Sequence, residues 1–131
     1  SFVRPVLQTS LQQVHGPTLL HHAGAPLLAH LGFLINLPSV IGYAMDWRDN
    51  LTKARSIIGP TPVLLGGPSG PNLPRLTPLE VENQCRGILE DRKGDSRFIL
   101  CTCGADIPLN TPEDSIHAIR AATQHLEGSL H

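Results

Sequence analysis

Pro62-Val63-Leu64-Leu65, then Gly66-Gly67-Pro68-Ser69-Gly70-Pro71, then Thr77-Pro78-Leu79-Glu80: these three pieces follow one another in the chain and decide its fold class. The first is a short apolar run suited to a buried strand, the second a Gly/Pro loop, and the third a helix start. Thr77 stands at the N-cap and Pro78 at the first helical position, and Glu80 completes a capping box. Val81, Cys85, Ile88 and Leu89 then recur at helical spacing. The whole is one strand–loop–helix unit.

The same unit recurs on both sides. Upstream, Val3, Val6, Leu7, Leu11 and Val14 predict a helix that Gly16-Pro17 stops. Thr18 to His22 predicts a strand, Leu27 to Leu34 a helix, and Ser39 to Met45 a second strand. Asp49 or Asn50 can cap the helix carrying Leu51, Ala54, Ile57 and Ile58, which Gly59-Pro60 ends. Downstream, Arg97 to Thr102 predicts a fourth strand. Thr111-Pro112-Glu113-Asp114 repeats the helix-start chemistry, with Ile116, Ile119 and Leu126 facing inward. Residues 127–131 show no pattern and are expected to form a disordered tail. Four strand–helix units of roughly 30 residues fit half of a (β/α)8 barrel, in an α/β fold spanning residues 1–131 as one domain. The rival is a flavodoxin-like open sheet, for which His22-Ala23-Gly24-Ala25-Pro26 makes a poor phosphate loop.

The composition is globular: 131 residues, 40% hydrophobic and 16% charged. A net charge of −1 gives no polyanion-binding surface, so nucleic acid is not expected as a partner. No Lys, Arg, Asp or Glu lies between Arg4 and Asp46. The most apolar stretch, Leu27 to Met45, is interrupted by His30, Asn36 and Pro38, so burial in a parallel sheet explains the missing charge better than a bilayer span. Cys85, Cys101 and Cys103 are too few and too unevenly spaced for a disulfide framework, which favours a reduced, cytoplasmic setting. No signal peptide opens the chain, and it begins inside a helical pattern as a fragment would.

In such folds, chemistry gathers at the C-terminal ends of the strands. Four places qualify here. At His21-His22, strand alternation is expected to turn one ring inward. Asp46 ends an otherwise apolar strand, and a buried carboxylate must be paired or functional. Arg48 could orient Asp46 or meet an anionic substrate, while a structural salt bridge is the competing reading. The loop amides at Gly66 and Gly67 could hold an anion with Arg75 nearby, although two prolines remove donors and a tight strand-to-helix connection explains the loop better. Lastly, His21 with Cys101 and Cys103 could form a zinc set, but small apolar packing explains the thiols better.

At these residues the chain resembles the uroporphyrinogen decarboxylase family. Phe2-Val3-Arg4-Pro5 resembles the family's Phe-x-x-Pro helix start, and Leu20-His21-His22-Ala23-Gly24 its LHxCG strand end. Gly42 with Asp46-Trp47, then Lys53-Ala54-Arg55 and Gly59, resembles its DW…KAR…G stretch. Leu64 to Pro71 resembles its LQGNxDP loop, with Gly67 where the family has Asn and Ser69 near its Asp. Phe98-Ile99-Leu100, Ile107-Pro108 and Thr111-Pro112-Glu113 resemble its last strand and helix.

The resemblance implies the C-terminal half of an eight-stranded barrel. The substrate arginines, catalytic aspartate and tyrosine would come from the N-terminal half. The family's decarboxylases remove acetate carboxyls from a tetrapyrrole without a cofactor, and carry a GHG turn. That turn reads Cys103-Gly104-Ala105 here, which makes Gly104 a substrate-contact candidate without the histidine. The corrinoid-linked methyltransferases hold zinc with HxC and a later Cys. His21 matches, Ala23 replaces the first Cys, and Cys103 could serve only if the turn shifts.

Three functions follow as expectations. The first is a decarboxylase-type domain of porphyrin and heme biosynthesis, inactive without an N-terminal half-barrel, with Asp46 and Arg48 at the acidic substrate and no cofactor. The second is a zinc-dependent corrinoid:thiol methyltransferase domain with His21 and Cys103 on the metal. The third is a non-catalytic half-barrel that pairs with a partner chain or forms a homo-oligomer, because an unclosed sheet exposes edges and an apolar face.

Overall fold

The computed structural model describes residues 2–129. Four parallel strands, β1 (Thr18–His21), β2 (Val40–Ala44), β3 (Val63–Gly66) and β4 (Phe98–Leu100), pair in the order β1-β2-β3-β4. Each is joined to the next across one face of the sheet. The helices are α1 (Val3–Gln12), α2 (Leu31–Leu34), α3 (Leu51–Ile58), α4 (Pro78–Asp91) and α5 (Glu113–Ser129). Sequential order is what half of an eight-stranded barrel shows, and the strand-order reversal that marks a flavodoxin-like sheet does not occur among these four strands.

The register sorts the side chains. Leu20, Tyr43, Leu64 and Phe98 lie side by side in one row. They pack with Leu31, Met45, Ala54 and Ile58 into a core beneath α2 and α3. Leu73, Val81, Cys85, Ala118 and Ala122 make a second core between α4 and α5, joined by Leu100. The next row, His21, Ala44, Leu65 and Ile99, faces the other way, with Leu19 on the same side. Among the described residues no helix covers that side: Leu19 is 50% exposed and Ile99 50%. Ile41 is the extra residue where the β1–β2 register shifts, and it is exposed as well.

Most predicted helix starts form as read. Asn50, not Asp49, caps α3 by accepting from the Lys53 N–H at 2.9 Å, and Thr77 caps α4 by accepting from Glu80 N–H at 3.2 Å. Thr111 does not repeat this, since its hydroxyl is buried without a partner among the described residues. The helix expected over Leu27–Leu34 is a 3-10 turn at Leu28–His30 running into the short α2. The inward stripe of α5 is Ser115, Ala118 and Ala122, with Ile119 partly buried against the same core as expected, while Ile116 is exposed. Small residues let α4 and α5 approach closely, a choice that hydrophobicity alone conceals. The backbone of α5 continues through Ser129, so the expected tail is helical over 127–129, and residues 130–131 lie outside the described residues. Among the described residues no helix is long and apolar enough to cross a membrane.

Candidate functional site

At the end of β2 the chain turns through Asp46–Asp49, closed by Asp49 N–H donating to Asp46 O at 3.0 Å. Asp46 is 2% exposed. Arg48 grips it from two directions, Nε donating to Oδ1 at 2.7 Å and Nη2 to Oδ2 at 3.2 Å. The Arg48 backbone N–H adds a third bond at 2.9 Å. These bonds hold the Asp46 carboxyl below the usual carboxylate range against the opposing effect of burial, and the guanidinium is held more firmly protonated in return. The same Nη2 reaches Gly24 O at 3.1 Å, tying the β1 loop to the β2 loop. About half of the Arg48 side chain remains in solvent, beside the half-exposed Trp47 ring at 5.7 Å.

His22, which is buried, completes the cluster. Its Nδ1 lies 3.3 Å from Asp46 Oδ2, its Nε2 accepts from Gly104 N–H at 3.2 Å, and Gly24 N–H approaches Nδ1 at 3.0 Å. One ring nitrogen of a neutral imidazole carries the proton. The tautomer that satisfies the buried carboxylate puts it on Nδ1, facing Asp46, and leaves Nε2 to Gly104. The Gly24 N–H is then a close approach and not a bond.

His21 and His22 were expected to point apart. The chain instead leaves the strand through Ala23 at φ 54° and Gly24 at φ 85°, and the two rings stack with centroids 4.4 Å apart. His21 is the exposed member, with Nδ1 accepting from Ala23 N–H at 3.0 Å. The residue that the sequence reading passed over is therefore His22. Its place beside the buried Asp46 comes from the turn conformation, which no residue spacing announces. Asp49 was likewise read only as a cap. Its carboxylate instead accepts from the backbone amides of Leu27, Leu28 and Asp46.

Residues 66–70 are wholly buried. Cys101 N–H donates to Gly66 O at 3.0 Å, Cys103 N–H to Pro68 O at 2.8 Å and Gly70 N–H to Cys103 O at 2.8 Å. A Cβ on Gly67 would lie 1.8 Å from Cys101 O, so only glycine lets these two segments meet. Much of this loop's backbone is thus spent on extending the sheet. Gly67 also borders a cleft of about 480 Å³ with Trp47, Ser69, Asn72, Arg75 and Gln84, so the structure does gather Gly67, Arg75 and Trp47. Asp46 and Trp47 border a smaller cleft of about 230 Å³ with Asp49, Thr52 and Arg92. Arg48, His21 and Gly104 line neither cleft.

The zinc set expected from His21 and Cys103 is not assembled. Among the described residues no three His, Cys, Asp or Glu side chains converge as a metal site requires. The Cys103 thiol is turned toward Cys101, 3.9 Å from its carbonyl, and all three cysteines are free. Hydrogen bonding from Cys103 favours the thiolate at Cys101. The Cys103 thiol is pushed up by that bond and by burial, and burial alone takes Cys85 to about 11.

No curated protein matches the chain. The family model described as Uroporphyrinogen decarboxylase (URO-D) matches residues 1–126, nearly the whole length over which the strands, the Asp46–Arg48 clamp and the buried loop have been described, and the chain belongs to that family.

Proposed function

We propose that the chain is the C-terminal half of a uroporphyrinogen decarboxylase-like barrel, acting on the acetate carboxyls of a tetrapyrrole once an N-terminal half-barrel covers its open face. One observation carries this reading. Asp46 fixes one edge of Arg48 by a bidentate pair, and about half of the Arg48 side chain stays in solvent at the C-terminal rim. A guanidinium already oriented by a buried partner meets a substrate carboxylate with little ordering cost. His22 and Gly104 support the Asp46 side of the clamp, and Arg75 with the Gly67 cleft offers a second place for a substrate carboxylate. Asp46 is a positioning residue on this reading: it is buried and ionised, and it acts through Arg48. Among the described residues no metal-ligand set supports the zinc methyltransferase reading. Three free thiols suit a reducing cytoplasm.

Combining the chain with the N-terminal four strand–helix units of a family decarboxylase should give CO2 release from uroporphyrinogen. Asp46→Asn should lower turnover at least about tenfold by loosening the clamp. An assembled barrel that releases no CO2, or an Asp46→Asn barrel with unchanged turnover, would count against the proposal.

A further inference from the structure

Cys101 and Cys103 have no part in the clamp, yet they sit beside it. Cys101 N–H and Cys103 N–H bond to Gly66 O and Pro68 O on the same neighbouring segment, so the two side chains leave an extended backbone on one side. Cys103 is buried, whereas Cys101 is partly exposed and open to a reagent. The Cys103 thiol points at Cys101, 3.9 Å from its carbonyl oxygen, and its nearness favours negative charge on the accessible Cys101 sulfur.

We propose that Cys101 and Cys103 form a redox-active dithiol that a small organic disulfide oxidises to an intrachain bond, drawing Gly104 away from His22. The Cys101 thiolate attacks one sulfur of the disulfide, forms a mixed disulfide and expels a thiolate that takes up a proton. Capping Cys101 removes the negative charge that opposed ionisation of Cys103. Cys103 then loses its proton to solvent and attacks the Cys101 sulfur, expelling the second thiolate. Two protein thiols lose two electrons, and one disulfide becomes two thiols.

The coupling to the rim is geometric. Alternate residues of an extended strand lie about 6.6 Å apart, near the upper limit for a disulfide, whose preferred Cα separation is about 5.5–6 Å. Closing the bond shortens the segment and pulls on Cys103. Cys103 O accepts from Gly70 N–H, and the next residue, Gly104, donates to His22 Nε2.

Glutathione disulfide is the probe, with intact mass and peptide mapping after acid quench as the readout. The expected product has lost two hydrogens, links Cys101 to Cys103 and leaves Cys85 as the free thiol. Cys103→Ser should stop as a stable glutathione adduct on Cys101, and Cys101→Ser and Cys101→Ala should both slow thiol loss at least about tenfold. In the oxidised protein the Gly104 amide should exchange with deuterium faster than in the reduced protein. Three thiols retained in the wild type, a wild type that halts at the mixed adduct, preferential reaction at Cys85, or unchanged Gly104 exchange after oxidation would each overturn the proposal.

Discussion

Arg55 shows how much one side chain can fix. Its guanidinium holds Asp95 by two bonds of 2.9 Å and also donates to Gly59 O, Pro62 O and Arg97 O, joining the end of α3 to the entries of β3 and β4. A lysine has the charge but not the planar fork. Arg55→Lys should cost about 2 kcal/mol and Arg55→Ala about 3 kcal/mol, checked by urea unfolding. At Asp46 the pairing with Arg48 lowers the folded-state pKa below the ordinary carboxylate value of 3.8. The unfolded chain therefore takes up the proton first on acidification. The stabilisation is complete above the ordinary value and is lost as pH falls through the lower, folded one. Unfolding midpoints measured from neutral pH downward should show the wild type's advantage over Asp46→Asn constant near neutrality and shrinking below about pH 4.

Elements that rest on local chemistry were legible in the sequence. The Thr77-Pro78-Leu79-Glu80 start of α4, the Gly59 end of α3 and the short apolar strands are set by residues within a few positions of one another. What was not legible depends on neighbours far away in the chain. The α2 segment shrank because its Leu residues serve a core that a 3-10 turn reaches equally well. The inward face of α5 is small because α4 lies close. Ser115 is 0% exposed, and its hydroxyl has no partner among the described residues. Ser115→Ala should therefore raise stability by about 1 kcal/mol in the same unfolding assay. Gly67→Ala should cost at least about 3 kcal/mol, because the approach to Cys101 O leaves no room for a methyl group. In the candidate site, Asp46 and Arg48 were readable from a lone carboxylate closing an apolar strand. His22 was not, because its position follows from the turn at Ala23 and Gly24.

At the scale of the whole molecule, four strands make a sheet that does not close. One face is packed under helices, and the other presents Leu19 and Ile99 to solvent. Such a face seeks a cover, and for residues 1–131 alone a second copy should provide one. Light scattering at micromolar concentration should show association that Ile99→Lys abolishes while circular dichroism stays unchanged; a stable wild-type monomer would contradict this. The clamp on the rim of that open sheet can be tested most directly through Trp47, the single tryptophan of the chain, whose ring lies beside Arg48. Titrating the protein with uroporphyrin while following Trp47 fluorescence should give saturable quenching, with the midpoint raised at least about tenfold by Arg48→Met. Quenching that never saturates, or an Arg48→Met protein that binds as tightly as the wild type, would contradict the account.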